Sequence, residues 1–136
     1  MGQYERALPL CESALEIRKS ELGDRHPATA NSLNDLAGLY ESMGEYDRAL
    51  PLYESALEIR KSELGDRHPS TATSLNNLAI LYFNTDRFLE AVTMMSEAVK
   101  IDQQTLGNNH PDIISGQKNL ALFQKKLKET EDLMEN

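Results

Sequence analysis

A period of 42 residues governs this chain. The segment ELGDRHP stands at residues 21–27 and again at 63–69, and a looser copy, TLGNNHP, stands at 105–111. Laid on one another at that spacing, residues 2–43 and 44–85 agree at 32 of 42 positions. The third copy, residues 86–127, keeps ten matches to the second, among them Ala91, Ala98, Gly107, His110, Pro111, Asn119 and Ala121. Small residues, apolar residues and the loop survive there, while the charged residues mostly change. A sequence that repeats on this scale folds by stacking like units, each burying an apolar face on its neighbour.

Each copy reads as two helices. Tyr46, Ala49, Leu50, Tyr53, Ala56, Leu57 and Leu64 recur at three- and four-residue steps, as does a second stripe of Leu75, Leu78, Ala79 and Tyr82. Gly65 predicts a left-handed cap at the end of the first of these helices. Pro69 suits the first turn of the next, and His68 ahead of it is pushed out of helical geometry. Pro9 and Pro51 fall inside otherwise helical stripes and predict a slight bend, absent from the third copy, where Thr93 replaces proline.

The stretch SLNDLAGLYESMGEYDRALPLYESALEI resembles a tetratricopeptide repeat, and the spacing with its LG and HP signature is similar to the kinesin-light-chain type. Ala37, Ala49 and Ala56 stand where that repeat has close helix contacts. Leu36, Tyr40, Gly44 and Tyr46 stand where it has large core residues and a turn glycine. In the third copy, Asp86 replaces the glycine and Gln124 the tyrosine. The resemblance implies an all-α fold, a right-handed α-α superhelix of about six antiparallel helices. As one array, it comprises a half repeat over 2–22, helix pairs over 27–64 and 69–106, and a C-terminal capping helix over 111–134.

The recurrent histidines invite a metal reading, which the repeat argues against. His26, His68 and His110 lie one full unit apart and cannot converge on one ion, and none has a second ligand three or four residues away. They read as loop residues bonded to nearby backbone. Cys11 corresponds to Tyr53 and Met95 in the later copies and reads as a packing residue. Asp24, Asp66 and Asn108 read as polar loop groups, without the dense carboxylates of a calcium loop. Glu58 is placed to pair with Lys61 on a solvated helix face. No arrangement of nucleophile, base and acid is visible, and no phosphate-cradling glycine loop, so neither an enzyme nor a cofactor is expected.

A partner is expected on the first helix of each pair. With Leu33, Leu36, Ala37 and Tyr40 forming the buried stripe, Asn31, Asn34 and Asp35 gather on the far side. The same side carries Thr73, Asn76, Asn77, Ile80 and Phe83 in the second copy, and Lys118 and Asn119 in the third. In tetratricopeptide proteins this face lines a concave groove that receives an extended peptide or a helix. Asparagine offers both a carbonyl and amide hydrogens, so this row suits a peptide backbone of any sequence. Ile80 and Phe83 are candidate anchors for an apolar side chain. Acidic Asp35 and Glu41 at one end, with Lys118, Lys125 and Lys126 at the other, would orient a charged ligand.

The sequence begins within a repeat. Tyr4, Ala7, Leu8 and Cys11 form the stripe of a second helix whose first partner is missing, which predicts either a piece of a longer array or an edge that self-associates. With 22 acidic and 14 basic side chains the net charge is −8, unsuited to binding a phosphate backbone, so no nucleic-acid partner is expected. No apolar run is long enough for a membrane span. A single cysteine points to a reducing cytoplasm.

Overall fold

The computed structural model describes residues 2–107 and 109–135; Asn108 lies outside the described residues. These form six helices: α1 (Gly2–Leu22), α2 (Pro27–Ser42), α3 (Tyr46–Leu64), α4 (Pro69–Asn84), α5 (Phe88–Leu106) and α6 (Pro111–Glu135). The internal contacts divide the chain into two units, Met1–Asp66 and Arg67–Asn136. In the first, α2 packs on both α1 and α3; in the second, α5 packs on both α4 and α6. Within each unit, loops of a few residues return a helix against the one before it, so these consecutive helices run antiparallel.

The histidine of each His-Pro joint is a helix cap. His26 and His68 hold extended backbone, φ −76° and −77°, and each turns its Nδ1 to accept the backbone N–H two residues on. The donors are Ala28 and Ser70, both at 3.0 Å, and His110 accepts from Asp112 in the same way at 3.1 Å. One of the N–H groups that a helix start leaves without an intrahelical acceptor is thereby satisfied. Proline follows at the first helical position, where no N–H is needed.

The glycines before the joints end the helices, by a geometry other than the left-handed helical cap. Gly65 has φ 103° and ψ 158°, and Gly107 has φ 87° and ψ 158°. This combination of positive φ with extended ψ is essentially open to glycine alone. The Gly65 N–H still closes the last turn on the Lys61 carbonyl at 3.1 Å. Helices α1 and α3 run on past Pro9 and Pro51, both exposed, without interruption.

Unit 1 has a core of Ala30, Leu33, Ala56 and Ile59, with Leu15 and Leu52 packed against it. Ala37 and Ala49 are also buried, as the close helix contacts require. Unit 2 buries Leu75, Leu78, Leu81, Met95 and Ile113 fully; each such side chain contributes about 1.5–3 kcal/mol relative to exposure. Helix α6 approaches α5 closely at Gly116. A Cβ built there would lie 2.9 Å from Val99 Cγ2 of α5. On the surface of unit 1, Glu58 pairs with Arg25 at 3.2 Å, where the sequence had suggested Lys61 as its partner.

Candidate functional site

In unit 1 the far side of α2 is already engaged by its own neighbours. Arg60, buried on α3, donates from Nη2 to Asn31 Oδ1 at 2.8 Å. Burial pulls the Arg60 guanidinium below its ordinary range, and the Asp35 carboxylate opposes that pull. Asn31 and Asp35 remain exposed, and Asn34 is half-buried. Glu41, expected at the acidic end of the face, accepts a hydrogen bond from the Tyr53 hydroxyl at 2.8 Å. Burial and then that carboxylate push the Tyr53 phenol far above its ordinary range. Glu41 of the expected ligand face thus serves the chain's own packing, and the charge of Asp35 acts on the chain's own Arg60.

In unit 2 three of the residues singled out from sequence come together around one cleft of about 260 Å³. Helix α4 contributes Ala72, Thr73 and Asn76, α5 contributes Asp102, and α6 contributes Asp112, Ser115, Gly116 and Asn119. Asn76 and Asn119 are half-buried and Thr73 is exposed. The Thr73 hydroxyl donates to the Pro69 carbonyl at 3.2 Å, a bond that stays within its own helix. Burial holds the Asp102 carboxyl above the usual carboxylate range; the charge of Asp112 adds to this and that of His110 works against it.

The remaining candidates have other surroundings. Ile80 and Asn77 are half-buried on α4, and Lys118 is exposed on α6. Phe83 is half-buried, stacked on Phe123 with ring centroids 4.4 Å apart and edge-on to Phe88 at 5.4 Å. It therefore joins α4 to α6 as well as presenting an edge to solvent. On α1, Tyr4 is exposed, while Ala7, Leu8 and Cys11 are half-buried. The apolar groups most open to solvent on α1 are instead Leu10 at 71% and Ile17 at 60%, although the repeat-equivalent Ile59 is only 5% exposed.

Asp102 and Asp112 were not among the residues singled out from sequence. Their signal was nevertheless present. Asp102 stands where the two earlier copies have Arg18 and Arg60, a reversal of charge at one register position. Among the described residues no group of three or more His, Cys, Asp or Glu is placed to hold a metal ion. No helix among them is long and apolar enough to cross a membrane.

Paired helices with alanine seams, histidine-capped joints and a polar first-helix face define a helical-repeat protein. A family model described as Tetratricopeptide repeat matches residues 1–62, 39–94 and 70–132, and the chain belongs to that family. Among solved structures it is similar to nearly identical TPR-like repeats of a kinesin light chain from Podosopora anserina, with TM-score 0.86 and 29% identity over 98% of this chain and 64% of that one. A variant of the same protein is similar too, with TM-score 0.86 and 29% identity over 98% of this chain and 63% of that one. BtubC (BKLC) from P. vanneervenii is similar at TM-score 0.86 and 26% identity, over 96% of this chain and 52% of that one. The chain thus spans between half and two thirds of the length of these structures. No curated protein matches it in sequence.

Proposed function

We propose that the chain is a non-enzymatic protein-interaction module, and that it holds an extended peptide or a helical segment of a partner against the first-helix faces. Tetratricopeptide repeats are in general protein-binding modules, and this chain carries three such matches. The reading is supported by the cleft of unit 2, whose lining includes Thr73, Asn76 and Asn119, residues that carry hydroxyl and amide groups. Such groups pair with a peptide backbone without regard to its side chains. The lone cysteine fits action in a reducing compartment such as the cytoplasm.

Selection of random displayed peptides on the whole chain tests this. Peptides should be retrieved, and Asn76→Ala combined with Asn77→Ala should weaken their binding about tenfold while helical content by circular dichroism stays unchanged. Failure to retrieve any peptide, or unchanged affinity in the double variant, would count against it.

A second reading is assembly, in which copies stack through α1. It is favoured by one observation: α1 buries no residue and leaves Leu10 and Ile17 open. Solution mass at rising concentration separates the two.

A further inference from the structure

We propose that the cleft of unit 2 is a subsite for the guanidinium of a partner's arginine side chain, which takes the place that the chain's own arginines fill at equivalent positions of unit 1. This deepens the peptide-binding reading and rests on it for the source of the arginine.

The argument comes from the repeat register. Two periods separate Arg18, Ala28 and Ser32 from Asp102, Asp112 and Gly116. In unit 1, Arg18 Nη1 donates to the Ala28 carbonyl at 3.0 Å and to Ser32 Oγ at 2.9 Å, so a guanidinium fills the seam between α1 and α2. One period separates Arg60 and Asn31 from Asp102 and Thr73, and there too a guanidinium reaches the first helix, at 2.8 Å.

In the third copy all three of the Arg18, Ala28 and Ser32 positions change. Arginine becomes the shorter aspartate, which removes the guanidinium that filled the seam, and serine becomes glycine, whose side-chain space is taken by Val99. Alanine becomes aspartate, which adds a second negative charge. What remains is a cleft of about 260 Å³ with no basic residue in its lining. That is several times the roughly 30 Å³ of a water molecule in the liquid.

Acidity alone would not mark a ligand site. Here the same register position of the same fold is occupied by a guanidinium elsewhere in the chain. The unit 2 version has lost the cation and gained carboxylates to receive one. The raised carboxyl of Asp102 accords with this, because its charge is half-buried, repelled by Asp112 and opposed only by His110. An arginine is favoured over a lysine because its planar fork can bond two carboxylates, or a carboxylate and an amide, at once.

The test is a titration of the isotope-labelled whole chain with N-acetyl-arginine amide, followed by NMR, with N-acetyl-citrulline amide as the uncharged analogue. Saturable shifts are expected at the backbone amides of Ser115 and Gly116 and at the side-chain amides of Asn76 and Asn119. Citrulline amide should bind about tenfold more weakly, as should arginine amide to Asp102→Asn. Asp102→Arg, which restores the residue of the earlier copies, should abolish the response. Equal shifts with citrulline amide, no saturable response, or unchanged binding to Asp102→Asn would overturn the proposal. Dispersed spectra report that each variant is folded, and Asp112→Asn reads the same cleft should Asp102→Asn fail to fold. A response to arginine amide with no retrieved peptides would sink the peptide reading and leave the cation site. Retrieved peptides with no such response would do the reverse.

Discussion

Gly116 has no room for a side chain. Valine is stiff at its first torsion, so the Val99 methyl group 2.9 Å from an added Cβ cannot easily swing aside. The corresponding positions on α1 and α2 are Leu15, which is not branched at Cβ, and Ser32, which is not glycine. Gly116→Ala gains about 1 kcal/mol of helix propensity and loses roughly 1–3 kcal/mol to overpacking. The net expectation is destabilisation by about 1 kcal/mol in urea unfolding. Adding Val99→Ala should make the alanine at 116 favourable, a coupling that a double-mutant cycle would register. At this scale the sequence was readable where a residue acts on its own backbone. The His-Pro joints were assigned as local structure because a cap needs only the residue and the N–H two places on. Residues whose role depends on a distant helix were not readable. Phe83 looked like a free anchor because nothing in α4 announces Phe123, and Glu41 looked like a ligand group because Tyr53 lies on another helix.

At the scale of the element, α1 and α4 mark the extremes of the chain. Helix α1 buries none of its residues, whereas α4 buries eight, from Thr71 to Tyr82. Local opening is governed by how much packing an element must give up. Amide hydrogen exchange in the middle of α1 should therefore run at least about tenfold faster than in the middle of α4, measured on the whole chain under native conditions. Equal protection of the two helices would mean that α1 is covered in solution. Helix existence and bounds were legible in the period, because apolar spacing and punctuation repeat together. The cleft was only half legible. Thr73, Asn76 and Asn119 lie on first helices, where a partner face was sought. Asp102 lies on α5, a second helix, and its change of sign acquired meaning only when α4 and α6 were seen to close around it.

For the whole molecule, the two readings of the chain differ in how many copies act together. If peptide binding is its work, sedimentation should give the monomer mass across a wide range of concentration. If α1 is an assembly surface, mass should rise with concentration, and Leu10→Glu with Ile17→Glu should return it to the monomer value, since carboxylates cannot be buried without partners. The net charge of −8 adds self-repulsion that salt relieves, so any association should strengthen in higher salt.

The joints carry one more consequence. Each of the three His-Pro elbows holds its own glycine stop, its own histidine acceptor and its own proline start within a few residues, and the first two are alike in sequence from Glu21 to Pro27 and from Glu63 to Pro69. A gene slipping by one period during replication would thus gain or lose a whole unit between intact elbows, stranding no backbone group. Chain length in such a protein is a trait that inheritance can adjust in steps, ahead of any refinement of individual side chains.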